Sequence, residues 1–196
     1  GEQMRIAMRS PVRSTARRAG GIAEGPYQAA LVALNPAWGE HDTWAVMSAA
    51  CERHPEVLRV LRRSEGMPGK AAVLKEVSEA LDSDVLIVFD ADYVPGRGLI
   101  KQIAAPFFDA EVGAVMGRVV PHNTSSNLLT RLLDLERAGG YQVDQQARMN
   151  LGLLPQYGGS VGGVRLSALR AVGGWRVDVY AEDTDLWLRA IERTRI

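Results

Sequence analysis

The segment Val85-Leu86-Ile87-Val88-Phe89 runs straight into Asp90-Ala91-Asp92-Tyr93-Val94-Pro95. Five consecutive apolar residues, β-branched at Val85, Ile87 and Val88, with a proline shortly after, read as a buried strand that ends at a loop. Side chains alternate along a strand, so Asp90 and Asp92 face the same way if the extended geometry persists. Two carboxylates held that close repel each other, and a divalent cation removes the conflict. Mg2+ and Mn2+ take oxygen ligands and commonly share a site between one or two carboxylates and substrate phosphates. The plain alternative is a pair of solvated loop acids. The carboxyl end of a buried strand favours the ligand reading, because open α/β sheets bind their ligands there.

The rest of the chain alternates strands and helices. Gln28 to Leu34, Val57 to Leu61 and Val112 to Val120 read as strands. Thr43 to Arg53 reads as a helix with Trp44, Met47 and Cys51 on one face, and Lys70 to Leu81 as a helix burying Val73, Leu74, Val77 and Leu81. Further helices are expected over 98–107, 125–151 (broken, if anywhere, at Gly139-Gly140), 167–172 with Ser167 as N-cap, and 182–192. Residues 36–41 and 62–69 read as loops. This alternation implies a largely parallel sheet covered by helices on both faces.

A chain of 196 residues fits one domain with a sizeable core. Its 23 basic and 23 acidic residues cancel, which argues against a general nucleic-acid or membrane-surface binder. The single cysteine, Cys51, excludes an internal disulfide framework or a cysteine-rich metal site, and its apolar helical surroundings make it core. No run of eighteen apolar residues marks a membrane span. Arg5, Arg9, Arg13, Arg17 and Arg18 crowd the start, with no acid among residues 4 to 18. Residues 1–26 are therefore expected to be a basic, disordered arm, with 19–26 as a linker.

Three further segments carry chemistry. Lys70 opens a helix, where the macrodipole disfavours a cation, so it reads either as a surface lysine or as a cation placed at a ligand edge. Residues 156–165 are dense in glycine, which lets backbone approach a ligand closely, or else forms a bulged hairpin. Val172-Gly173-Gly174-Trp175 is followed by Glu182, Asp183 and Asp185 at a helix start. Acids favour helix N-termini, yet three exceed what a cap needs, and a carboxylate on a cleft rim can serve as general base to a hydroxyl.

Taken in order, Gly69-Lys70-Ala71-Ala72 with Leu74, Phe89-Asp90-Ala91-Asp92, Tyr157-Gly158-Gly159-Ser160 through Arg165, Val172-Gly173-Gly174-Trp175, and Glu182-Asp183 with Asp185, Leu186 and Arg189 resemble the family 2 glycosyltransferases, most closely their cellulose-synthase-like branch. The resemblance covers roughly residues 42 to 193. It implies a GT-A, Rossmann-like α/β fold, with residues 27–196 as a partial catalytic domain. By position it makes Asp183 the general base and Asp90 and Asp92 the pair that meets the donor diphosphate, directly or through Mg2+ or Mn2+. It puts Lys70 near the nucleotide, and Gly159, Ser160, Arg165, Trp175 and Glu182 in contact with substrates. The implied partners are a nucleotide-diphosphate sugar, UDP-sugar foremost, and a saccharide or lipid-linked acceptor. Nucleic acid is not among them. The implied location is the cytoplasmic face of a membrane, reached through segments outside this otherwise soluble chain.

The family's usual first strand with its asparagine-glutamate turn has no counterpart in residues 1–26. In the region of the second-strand turn only Asp42-Thr43 fits, and the chain stops before any Q-x-x-R-W motif. A fragment truncated at both ends is therefore expected. The leading reading is an inverting sugar transfer, which needs one catalytic carboxylate where a glycosidase needs two. A non-catalytic remnant that binds nucleotide sugar weakly remains the alternative. A phosphatase of the haloacid-dehalogenase type also places D-x-D after a strand, but the Gly-Gly-Trp and Glu-Asp arrangement suits it poorly.

Overall fold

The computed structural model describes residues 5–8, 29–32, 43–55, 58–61, 66–90, 92–153 and 155–194. The linker expected over 19–26, the loop over 36–41 and the first half of the loop over 62–69 lie outside the described residues. Strands β1 (Arg5–Met8), β4 (Val85–Phe89), β5 (Val112–Met116) and β6 (Val161–Arg165) form one sheet in the order β1-β5-β6-β4. Strands β2 (Ala29–Val32) and β3 (Leu58–Leu61) pair in parallel as a second sheet.

In the larger sheet β1 is parallel to β5, while β6 is antiparallel to both β5 and β4. Strands β1, β4 and β5 therefore share a direction and β6 alone is reversed. The strand at Arg5–Met8 departs from the reading of residues 1–26 as an arm. Ile6, Ala7 and Met8 stand opposite Ala114, Val115 and Met116. A four-residue strand flanked by arginines carries too little alternation to be seen locally, and its partner lies more than a hundred residues away. Residues 1–4 and 9–26 lie outside the described residues.

Both faces of the sheet are covered. On one face, Val85, Ile87 and Phe89 of β4 pack with Val115 and Val161 against Ile103 and Phe107. Those two come from helix α3 (Leu99–Ala104) and the 3-10 turn Ala105–Phe108. On the other face, Leu86 and Val88 meet Leu74 of helix α2 (Lys70–Ala80), together with Leu166, Leu169, Trp175 and Leu186. Leu166 and Leu169 belong to helix α6 (Leu166–Ala171), and Leu186 to α7 (Glu182–Thr194). The α6 cap position is Arg165, and Ser167 lies inside the first turn rather than capping it.

The glycines of β6 explain how a chain segment so rich in glycine becomes a core strand. A Cβ on Gly163 would stand 2.8 Å from the Phe107 ring, and one on Gly162 would stand 2.8 Å from the Tyr157 hydroxyl. The close approach they permit is by the protein's own aromatic rings, one on each face, where the sequence pointed to a ligand.

Helix α1 (Thr43–Arg53) forms as expected, with Met47 and Cys51 half-buried. The long helical stretch divides into α4 (Leu128–Gly139), a π-helical turn Gly140–Gln145 and α5 (Gln146–Asn150). The disturbance begins at Gly139-Gly140, but the helix is widened there rather than interrupted. Helix α4 buries none of its residues, and it leaves Leu128, Leu132 and Leu135 exposed.

Candidate active site

The antiparallel pairing of Phe89 with Val161 brings the carboxyl end of β4 to the start of β6. There the Asp90 N–H donates to the Ser160 carbonyl at 3.0 Å. Two sequence motifs seventy residues apart are thus joined at one sheet edge. Lys70, the first residue of α2, reaches the same point. Its ammonium donates to Asp90 Oδ1 and, at 3.0 Å, to the Gly159 carbonyl. Glu182 Oε1 lies 3.6 Å from the same nitrogen. The cation that opens α2 against the macrodipole is accounted for by these carboxylates.

Asp183, in the first turn of α7, accepts from the Gly159 N–H through Oδ2 at 2.7 Å and from the Thr184 N–H through Oδ1 at 2.7 Å. Each carboxylate oxygen is held by a backbone donor, so the group keeps one orientation. A Cβ on Gly159 would fall 3.0 Å from Asp183 Oδ2, so glycine is what lets this backbone close on the carboxylate.

Tyr157 is a participant that the sequence reading placed in a motif without a role. It is 2% exposed, and burial first, then the charges of Asp183 and Glu182, push its phenol well above the ordinary tyrosine value. Both influences favour the protonated phenol beside these two carboxylates. Its only sequence signal was its place before Gly158-Gly159-Ser160.

The geometry of the two aspartates differs from a continued strand. The Tyr93 N–H donates to the Asp90 carbonyl at 2.9 Å, which closes a turn immediately after β4. Asp90 is half-buried against Lys70, and Asp92 stands exposed in the turn. The extended alternation that was to aim both side chains alike ends at Asp90. The donor chemistry still fits a hard divalent cation, since two carboxylates at an accessible sheet edge supply oxygen ligands. Among the described residues no group of three or more His, Cys, Asp or Glu side chains gathers to hold a metal. An ion held here through Asp90 and Asp92 would complete its shell from phosphate oxygens and water.

Two expected substrate contacts are placed elsewhere. Arg165 ends β6 at the edge opposite Ser160. Its guanidinium donates to the carbonyls of Val112 at 3.0 Å, Phe107 at 2.8 Å and Asp109 at 2.9 Å, and lies over the Phe107 ring. Trp175 is 3% exposed and packs in the core with Leu74, Leu166 and Leu186. An arginine after a glycine-rich run and a tryptophan after Gly-Gly look like ligand contacts in sequence, but strand direction carries the first away and apolar burial claims the second.

The model for glycosyl transferase family group 2 matches residues 85–195. The chain belongs to this family. It is 30% identical over 170 residues to the beta-monoglucosyldiacylglycerol synthase of Synechocystis sp., an alignment that covers 81% of this chain and 35% of that protein. It is 29% identical over 136 residues to the probable glucomannan 4-beta-mannosyltransferase 1 of Arabidopsis thaliana, covering 67% of this chain and 25% of that one. The chain thus spans about a third or less of the length of these curated relatives. Among solved structures it resembles a mannosyltransferase of Pyrobaculum calidifontis in complex with GDP-Man and Mn2+. That match has a TM-score of 0.56 and 20% identity, and covers 81% of this chain and 41% of the other. The likeness establishes the GT-A fold of this family 2 glycosyltransferase chain.

Proposed function

We propose that this family 2 chain carries the donor-binding edge and the catalytic base of an inverting glycosyltransferase, which moves a sugar from a nucleotide-diphosphate sugar to an acceptor hydroxyl. The observation that carries this reading is the convergence of Lys70, Asp90, Glu182 and Asp183 around the Gly159 backbone. The nucleotide sugar and Mn2+ bound by the Pyrobaculum mannosyltransferase support it, as do the names of the two sequence relatives.

In this reading Asp183 takes the proton of the acceptor hydroxyl. The freed oxygen attacks the anomeric carbon while the bond to the diphosphate oxygen breaks, and that oxygen leaves with the electron pair. The backbone bonds to Asp183 hold the base in place beforehand. Lys70, within reach of two carboxylates, is placed to meet diphosphate oxygens. A Mg2+ or Mn2+ ion bound through Asp90 and Asp92 would offset charge on the diphosphate. UDP-sugar is the donor we assign, and polysaccharide or glycolipid synthesis at the cytoplasmic face of a membrane the setting. No helix of the described residues is itself long and apolar enough to cross one.

Calorimetry with UDP-glucose and Mn2+ tests the donor site. The chain should bind, and Asp90→Asn should not. In an enzyme that contains this domain, Asp183→Asn should keep donor affinity and lose roughly 100- to 10,000-fold in turnover. Donor binding without any turnover in the unsubstituted enzyme would establish a non-catalytic binding fold instead.

A further inference from the structure

Two sequence motifs have no part in the site as described: Val172-Gly173-Gly174-Trp175, and the pair Asp185 and Arg189. The structure joins them behind the base. The Gly173 N–H donates to the Arg170 carbonyl at 3.0 Å, and the Gly174 N–H to the Leu169 carbonyl at 2.9 Å. Gly173 itself has a φ of 91°. Two such bonds around a left-handed glycine stop a helix within one turn, and here they stop α6. The Val172 carbonyl is left at the helix end without a partner inside the helix. Arg189 Nη1 donates to that oxygen at 2.5 Å. A cation suits a helix C-terminus, where the unpaired carbonyls gather negative charge.

The same guanidinium also grips its own helix. Its Nε donates to Asp185 Oδ2 at 2.8 Å, and Nη2 lies 2.6 Å from that oxygen. Arg176 Nη1 stands 3.5 Å from the other oxygen, Oδ1. Asp185 belongs to the first turn of α7, where its N–H donates to the Ala181 carbonyl at 3.0 Å. The side chains of Asp185 and Arg189 are only 16% and 19% exposed, so water competes little for these contacts. Asp183 stands two residues ahead of Asp185 in the same turn. Leu186, Trp187 and Ala190 press α7 into the core, but apolar contact has no direction and leaves a helix free to turn or slide. A planar guanidinium held at both sides fixes rotation and slide together. The bond from the Gly159 N–H to Asp183 crosses from the loop before β6 to α7, so it forms only when that helix is correctly set.

We propose that Arg189 is a positioning residue for Asp183. By tying Asp185 to the Val172 carbonyl, it sets α7 against the end of α6 so that Asp183 meets the Gly159 N–H. The inference rests on the reading of Asp183 as base only for its effect on rate. It gives the Gly-Gly-Trp motif a task without ligand contact: the glycines present the carbonyl that Arg189 holds, and Trp175 packs that corner with Leu169 and Leu186.

Amide hydrogen exchange in the 196-residue chain, read by NMR, tests the placement. Arg189→Met keeps the apolar stem and removes the fork. It should speed exchange of the Gly159 N–H at least about tenfold, while amides of β5 and α2 stay within about twofold. The Thr184 N–H should keep its protection, because its Asp183 partner is the adjacent residue and moves with it. Asp185→Ala should give the same pattern, and adding it to Arg189→Met should change nothing further, since both break one link. Circular dichroism checks the fold, and Asp185→Ala serves alone if Arg189→Met does not fold. An unchanged Gly159 N–H in a folded variant overturns the proposal. Equal acceleration of all amides also overturns it, since Arg189 would then only stabilise. In an enzyme that contains this domain, Arg189→Met should lower kcat roughly 10- to 100-fold and leave KM for the nucleotide sugar within about twofold. Selective loss at Gly159 with kcat unchanged would retain Arg189 as the residue that places Asp183 and remove Asp183 as the base.

Discussion

Lys70 holds its ammonium between Asp90, Glu182 and the Gly159 carbonyl, each brought by a different element. Its side chain is about a third exposed, so the pair with Asp90 is partly screened and its worth lies in positioning charge rather than in stability. Lys70→Met should weaken UDP-glucose binding roughly ten- to hundredfold through loss of a charge-assisted contact. The same change should strengthen Mn2+ binding in the absence of nucleotide, because it removes a cation from Asp90. Paired titrations with nucleotide and with Mn2+ alone check both signs; weaker Mn2+ binding would mean that Lys70 orders the carboxylates instead. Tyr157 gives a pH signature. Its phenol is held above its ordinary value of 10.0, so the unfolded chain loses this proton first as pH rises. The contribution to stability is whole below pH 10.0 and is lost progressively above it. Melting curves on either side of that pH should show an alkaline decline that is shallower in Tyr157→Phe.

At the scale of elements, α4 depends on its ends. The Asn127 side chain accepts from the Thr130 N–H at 3.0 Å, and Thr130 Oγ1 accepts from the Asn127 N–H at 3.2 Å, a reciprocal capping box. With none of the helix's residues buried, packing can compensate little for its loss. Asn127→Ala should cost about 1 kcal/mol, read as faster amide exchange confined to the first turns of α4. Strand β6 has the opposite sensitivity, to added atoms. Gly163→Ala would drive a methyl to within 2.8 Å of the Phe107 ring and 3.1 Å of Ile103. Overpacking of this kind costs about 1–3 kcal/mol. The result should be a lower melting temperature, while nucleotide affinity per folded molecule is unchanged.

Across the whole molecule, one sheet separates two kinds of arginine and acid chemistry. The edge that carries Asp90, Ser160 and Asp183 is the one proposed to meet ligands; at the opposite edge Arg165 is bonded to the protein's own carbonyls. Arg165 ties β6 to the 3-10 turn and to the start of β5 through three carbonyls. Arg165→Met keeps the stem and strands those acceptors, at about 1–3 kcal/mol for each one left buried and unpaired. A denaturant midpoint shift with unchanged UDP-glucose affinity is expected, and an affinity loss in the folded variant would restore Arg165 to the substrate set.

Short-range patterns were enough for β4, α1 and α2, because a run of apolar residues or a helical stripe is decided by neighbours within a few positions. The ordered Asp90, Gly159 and Asp183 motifs were legible for the same reason: each is a local word, and their order pointed to the family. Four features were decided only by the folded chain: the strand at Arg5–Met8, the reversal of β6, the turn that separates Asp90 from Asp92, and the convergence on Lys70. The Lys70 contacts to Asp90 and Gly159 span 20 and 89 residues. A hydrogen bond or ion pair across such distances depends on where the intervening chain is packed, and composition near Lys70 carries no trace of it. Arg165 shows the converse. Its local context is that of a ligand contact, and the direction of one strand, set by pairing with β4 and β5, turned it toward the protein's own carbonyls.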